Sequence, residues 1–151
     1  MAAPEAFYEE MLVAHNELRD NHGSPPLEWS DELAEQAQQW ADKLAQKNFL
    51  TYCELPGVGE NITFFPTSMT PSEVVMYWYN EHEKYEYETP GWQAGTNYFT
   101  QVVWKATRHI GVGRTSTGKN DEMVVVAFYK PAGNCNRPGA FAMNVFKPRK
   151  Q

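Results

Sequence analysis

Gly95-Thr96-Asn97-Tyr98-Phe99-Thr100-Gln101-Val102-Val103-Trp104 marks the point where the sequence changes its period. Upstream, apolar residues recur every three or four positions. From Tyr98 onward the period changes to two, among β-branched and aromatic residues, so Tyr98–Trp104 reads as a strand. Two more strands follow at Ile110–Thr115 and Glu122–Lys130. The turn-rich Ser116-Thr117-Gly118-Lys119-Asn120-Asp121 joins them into an expected antiparallel hairpin. Met123–Phe128 is nearly all apolar, as in a central strand covered on both faces. Pro131-Ala132-Gly133-Asn134 leaves the sheet as an irregular loop.

Moving back along the chain, Thr70-Pro71-Ser72-Glu73 is a helix start. Thr70 caps, Pro71 occupies the first helical position and Glu73 returns the capping-box bond. Val74, Trp78 and Glu81 follow on one face, and Pro90-Gly91 closes the segment. Ser30 caps a helix whose stripe is Leu33, Ala37, Trp40 and Leu44, with Asp31 and Glu32 in its first turn. Residues 5–21 form another, with Phe7, Met11, Ala14 and Leu18 at helical spacing, ended by Gly23 and Pro25-Pro26. Three helices and a three- or four-stranded sheet predict an α+β fold, an α–β–α sandwich with helices on both faces of a mostly antiparallel sheet.

A length of 151 residues suits one domain with one core, here 1–151 with short flexible ends at about 1–4 and 148–151. A net charge of −6 argues against nucleic acid or an anionic membrane as the main partner, because phosphates need a cationic surface. The basic end (Lys147, Arg149, Lys150) is too short to reverse this. No apolar run approaches the roughly 20 residues of a membrane span. The opening Met1-Ala2-Ala3-Pro4-Glu5 has neither the basic start nor the apolar block of a signal peptide, and Ala2 excludes the myristoylation pattern. The expectation is either an intracellular protein or the mature form of a secreted one. Cys53 and Cys135 are the only cysteines; one bridge and two free thiols fit the sequence equally.

Several motifs, weak singly, are specific in their order and spacing. They are Ala14-His15-Asn16-Glu17-Leu18-Arg19, Pro26-Leu27-Glu28-Trp29, Gly59-Glu60-Asn61-Ile62, Trp78-Tyr79-Asn80-Glu81, Gly95–Trp104 with Ile110-Gly111-Val112-Gly113, and Phe128–Asn134. Together they resemble the CAP superfamily of cysteine-rich secretory, antigen-5 and pathogenesis-related proteins, across almost the whole chain. The cysteine-poor pattern is most similar to the Golgi-associated members. The resemblance implies an α–β–α sandwich with a cleft holding two His and two Glu, which in many members bind zinc or another divalent ion. It also implies sterol, fatty-acid or phospholipid binding in some members and roles in defence, venom or host interaction. It implies no common enzymatic reaction.

At the matching positions the glutamates stand as Glu60 and Glu81, but the histidines are replaced by Tyr52 and Tyr98. A phenol titrates near pH 10 and ligates well only after losing its proton. Two phenols and two carboxylates make a hard, all-oxygen set, poor for zinc and at best a weak Mg²⁺ or Ca²⁺ site. The preferred expectation is that each tyrosine donates to a glutamate and that no metal is held; if the carboxylates are close, one titrates at raised pH. Of the histidines, His15 is expected to face the core, His22 to sit as a cation at a helix end, and His82 and His109 to lie on the surface. Ile62, Phe64, Phe65 and Met69 are read as a loop, either packed in the core or lining a lipid or sterol groove. The resulting expectation is a non-catalytic binding protein for lipid, sterol, another protein or a second copy of itself. The rival is a metal-assisted hydrolase with Glu60 or Glu81 as general base.

Overall fold

The structure, a computed structural model, describes residues 6–47 and 49–150. The elements are α1 (Ala6–Asn21), β1 (Glu28–Trp29), α2 (Asp31–Lys47), β2 (Gly59–Pro66), α3 (Pro71–Tyr79), α4 (Asn97–Val103), β3 (His109–Ser116), β4 (Glu122–Lys130) and α5 (Ala140–Asn144), with a 3-10 turn over Asn80–Lys84. The sheet order is β1-β3-β4-β2. Only the short β1–β3 pair is parallel; β3–β4 and β2–β4 are antiparallel. This is the α–β–α sandwich expected.

Residues 123–129 of β4 are all buried, and their side chains alternate between two cores. Met123, Val125, Ala127 and Tyr129 face α1, α3 and α4, where Met11, Val74, Trp78 and Phe99 meet them. Val124, Val126 and Phe128 face α2, against Leu33, Ala37, Ala41 and Leu44. An apolar run with no polar face is what a strand needs when both sides are covered. On the α2 side the approach is close. A Cβ added to Gly111 would lie 2.1 Å from the Ala34 nitrogen, and one on Gly113 would lie 2.5 Å from Gln38 Cα. The two glycines let α2 lie directly on β3.

The caps form as the sequence predicts. The Thr70 hydroxyl accepts from Glu73 N at 3.2 Å and the Glu73 carboxylate accepts from Thr70 N at 2.9 Å. Ser30 Oγ accepts from Leu33 N at 3.1 Å at the head of α2.

Three expectations are corrected and one alternative left open is decided. Residues 97–103 are helical, where a strand was expected from Tyr98 to Trp104. Phe99 to Val103 are all buried, so packing on every side overrides the β-branched composition and hides the helical period. The Ile62-to-Phe65 segment is a strand, β2, at the sheet edge. Its side chains alternate: Ile62 and Phe64 join the α2-side core while Phe65 and Met69 join the other. The four therefore line no common groove. Residues 148–150 are tied down, since Arg149 N donates to Asn21 O at 2.7 Å and Lys150 N to Asn21 Oδ1 at 2.9 Å. The other end named as flexible, residues 1–4, and Gln151 lie outside the described residues. Finally, Cys53 and Cys135 are free thiols packed against the cores on opposite faces of the sheet.

On α1 the buried stripe is Phe7, Met11, His15 and Arg19, one step in phase from the Ala14–Leu18 line. Its two polar members organise the core. Arg19 is fully buried, and no carboxylate is among its bonding partners. Its guanidinium donates to Pro25 O, Val102 O, Trp104 O and Thr107 O at 2.8–3.1 Å. The bonds to Val102 and Trp104 satisfy carbonyls at the end of α4, which has no following turn to pair them. Burial lowers the pKa of Arg19 to about 10, still cationic at neutral pH.

Candidate functional site

Glu81 sits in the 3-10 turn after α3, half-buried, and its Oε1 accepts from Phe99 N at 3.0 Å. The reason lies in α4. That helix has no side-chain cap of its own, because Thr96 Oγ1 is spent on Gln93 O at 2.7 Å. Glu81 supplies from outside the acceptor that the helix start lacks, and a carboxylate there is favoured by the helix dipole. Burial raises its pKa, opposed by the amides of Phe99 and Tyr98 and by Lys84. Glu60 has no part in that shift, so the raised titration expected for a close carboxylate pair has a different cause, desolvation.

Glu60 opens β2 and reaches back over the preceding loop. Its Oε1 accepts from Cys53 N at 2.9 Å and its Oε2 from Glu54 N at 2.8 Å. Glu54 has φ 59°, the left-handed region, and both bonds hold that bend. Tyr52, two residues before Glu54, is exposed at 51%.

Tyr98 is the half-buried member, and its hydroxyl donates to Ile62 O at 2.8 Å. That oxygen belongs to the sheet edge, which would otherwise be unpaired. The expectation that each tyrosine donates to a glutamate is therefore corrected: a backbone carbonyl takes the Tyr98 proton, and backbone amides bond Glu60 through both oxygens and Glu81 through Oε1. Burial raises the pKa of Tyr98, and the charges of Tyr52, Glu81 and Tyr77 push it the same way. Tyr52, Tyr77, Glu81 and Tyr98 thus feel one another, while Glu60 is linked through the loop that carries Tyr52. Among the described residues no three His, Cys, Asp or Glu are grouped to hold a metal ion.

The donor set does not fit zinc. Burial raises the pKa of Tyr98 and keeps that phenol protonated at neutral pH, and Glu60 Oε1, Glu60 Oε2 and Glu81 Oε1 each accept an amide proton. A zinc site needs imidazole or thiolate with free lone pairs.

The histidines are used elsewhere. His15 Nδ1 donates to Met11 O at 2.8 Å, so Nε2 is the acceptor for Tyr129 OH at 2.7 Å, and Asn61 Nδ2 donates to the same hydroxyl at 3.3 Å. His22, expected as a cation at a helix end, is instead buried with its pKa lowered. It donates to Phe146 O and accepts from Tyr79 OH, each at 2.7 Å. His82 stacks on Tyr79 with centroids 4.5 Å apart, so it is only partly on the surface. His109 is exposed, 3.6 Å from Glu28.

Burial lowers the His15 pKa from 6.5 to about 4 and lowers that of His22. On acidification the unfolded chain therefore takes up these protons first, and stability falls as the pH falls. The contribution of His15 is whole above pH 6.5 and drains away toward pH 4, reaching about 3 kcal/mol. Glu81, with a raised pKa, has the opposite sign: the folded state gains as it protonates. Urea titrations should show a loss of about 2 kcal/mol or more between about pH 7 and pH 5, flattened in His15→Gln. A stability independent of pH over this window would contradict buried neutral imidazoles.

Sequence reasoning missed Arg19, Tyr129 and Asn61, and it missed the exposed apolar side chains around the site. Phe49, Leu50 and Tyr52 precede β2, and Met76 and Tyr77 lie on the outer face of α3; all five are exposed. Tyr77 packs edge-on against Phe65, with centroids 5.4 Å apart. The signal for Met76 was available in the phase of α3, opposite to Val74 and Trp78.

A family profile described as "CAP: Cysteine-rich secretory protein family" matches residues 12–129. The Homo sapiens "Golgi-associated plant pathogenesis-related protein 1" is 38% identical over 99% of this chain and 98% of its own length. "Protein PRY2" of Saccharomyces cerevisiae is 37% identical over 92% of this chain but only 41% of its own length. Among solved structures, Schistosoma mansoni venom allergen-like protein 4 superposes with TM-score 0.71 at 21% identity, covering 97% of this chain and 98% of that one. The crystal structure of NaASP2 with Zn²⁺ gives 0.72 at 20% identity, covering 97% and 90%. At such identities the structures speak for the fold.

Proposed function

Because the chain belongs to the cysteine-rich secretory protein (CAP) family, we propose that it acts by binding, not by turnover, at the surface around Tyr52, Glu60, Glu81 and Tyr98. The observation that carries this is the occupancy of the polar groups. Each glutamate is committed to backbone amides, and the Tyr98 proton to a carbonyl. A general base needs a free lone pair within reach of a substrate proton, and a catalytic metal needs an open coordination position. The amide bonds hold both carboxylates against the backbone, and phenols stand where an imidazole would complete a metal or acid–base pair, which is our reason for preferring binding to turnover. NaASP2 has been crystallised with Zn²⁺, but the phenols at positions 52 and 98 are our reason for assigning this chain no tight metal and at most a weak hard cation.

The ligand class follows from what surrounds these residues. Phe49 and Leu50, close to Tyr52 in the chain, and Met76 and Tyr77 on α3 are exposed apolar and aromatic side chains, and Tyr52 and Tyr77 both act on Tyr98; this favours a lipid or sterol. A protein partner or a second copy of this chain would use the same area. This replaces the groove expected at Ile62, Phe64, Phe65 and Met69. The test is retention of cholesterol and of palmitate by wild type, by Leu50→Asp with Met76→Asp, and by Val13→Asp, an exposed apolar site on α1. Binding should fall at least tenfold in the double variant only. Equal retention by all three proteins would reject this surface.

A further inference from the structure

Charge in this chain is divided by position. Residues 1–88 hold 17 of the 19 acidic residues and 4 of the 13 basic ones; residues 89–151 hold the other 2 and 9. Such asymmetry points to a partner for the minority sign even where the net charge is opposite. Folding gathers three of the later cations at one place. A cavity of about 740 Å³ lies between the α4–β3 connection and α5, with Lys105, Arg108, Arg137, Met143 and Asn144 among its lining and no carboxylate.

Two other cations of this half have counter-charges: Lys147 lies 2.7 Å from Glu88 and Arg149 3.2 Å from Asp20. Among the described residues no carboxylate comes within ion-pair distance of Lys105, Arg108 or Arg137. Each is nonetheless held in place. Arg108 donates to Lys105 O at 2.7 Å, Arg137 Nε lies 3.1 Å from Cys135 Sγ, and Lys105 Nζ stands 5.0 Å over the Phe146 ring. Asn144 fixes the wall, accepting from Lys105 N on its carbonyl at 3.1 Å and from Ala106 N on Oδ1 at 2.9 Å. Three like charges kept together without an opposite one raise the energy of the empty site and lower it on anion binding. The neighbouring cavity beyond Arg108 differs, since Glu32 lines it together with Lys130 and His109.

We propose that the Lys105–Arg108–Arg137 cavity binds a phosphate-bearing anion. Two guanidinium forks offer paired donors to phosphate oxygens and the ammonium adds a point charge. Three cations match a group of two or three negative charges, which a single carboxylate does not supply. A soluble polyphosphate and a phospholipid headgroup share this chemistry. Met143, 70% exposed on α5 at the rim, is the side chain that only a lipid source would bury.

The test uses the full chain at low ionic strength. One arm titrates inorganic tripolyphosphate calorimetrically. The other measures co-sedimentation with phosphatidylcholine vesicles, with and without phosphatidic acid. Arg108→Gln with Arg137→Gln should weaken binding at least tenfold. Lys43→Gln with Lys47→Gln, removing two exposed cations on α2, should leave it unchanged. Added salt should weaken the wild-type complex. Binding of tripolyphosphate identifies a soluble source. Binding only to acidic vesicles, reduced by Met143→Ser, identifies a headgroup. Thermal unfolding separates loss of the site from loss of fold, and Lys105→Gln alone provides a milder variant. No binding to either probe, or equal weakening by the α2 lysine variant, would overturn the assignment.

Discussion

Arg19→Met should remove about 3–5 kcal/mol of stability, a large part of what a domain of this size possesses. The guanidinium ties four carbonyls from three segments: the turn after α1, the end of α4 and the approach to β3. Methionine fills most of the volume but donates nothing. The carbonyls of Val102, Trp104 and Thr107 then lose their donor inside the core, at about 1–3 kcal/mol for each group left unsatisfied, offset in part by no longer burying a cation. Arg19→Lys keeps the charge, but an ammonium lacks the planar fork that spans all four acceptors, so it should recover only part of the loss. Urea unfolding of the three proteins decides the matter. A methionine variant within about 1 kcal/mol of wild type would mean that the carbonyls find other donors.

Gly111→Ala is the second large effect. The new methyl carbon would meet the Ala34 nitrogen at 2.1 Å and the Leu33 carbonyl carbon at 2.4 Å. Both are helix backbone and have no rotamer to change. Helix α2 must move off β3, opening the packing of Leu33, Ala37, Ala41 and Leu44. Overpacking of this kind costs about 1–3 kcal/mol where side chains can adjust, and here the upper end or beyond is expected. Gly118→Ala is a useful comparison, since its Cβ would meet nothing within 4 Å, although its φ of +77° carries its own strain. If Gly111→Ala melts no lower than Gly118→Ala, the close contact of α2 with the sheet is wrong.

The layers of the fold were legible because their signals are local. The Thr70–Glu73 capping box, the Ser30 cap and the apolar run of β4 each depend on residues close in sequence. Helix α4 was not legible. Its start is completed by Glu81 and its end by Arg19, both distant in the chain, and its burial leaves no polar face to show a period of 3.6. The same holds for β2, where alternate residues enter different cores, so Phe64-Phe65 reads as a loop. For the site, the sequence indicated four candidate residues and that phenols stand in place of imidazoles. It did not indicate what those residues bond to, because the partners are backbone groups. No side-chain pattern reveals that Glu60 holds the amides of Cys53 and Glu54, or that Tyr98 donates to Ile62.

Metal content of the chain purified without chelator is the measurement that bears most directly on the central claim. With both carboxylates engaged by amides and phenols in place of imidazoles, zinc should be well below one ion per chain after dialysis, and Glu81→Gln should not alter that figure. One tightly held zinc ion per chain, lost in Glu81→Gln or Tyr98→Phe, would contradict it and return the site to metal chemistry.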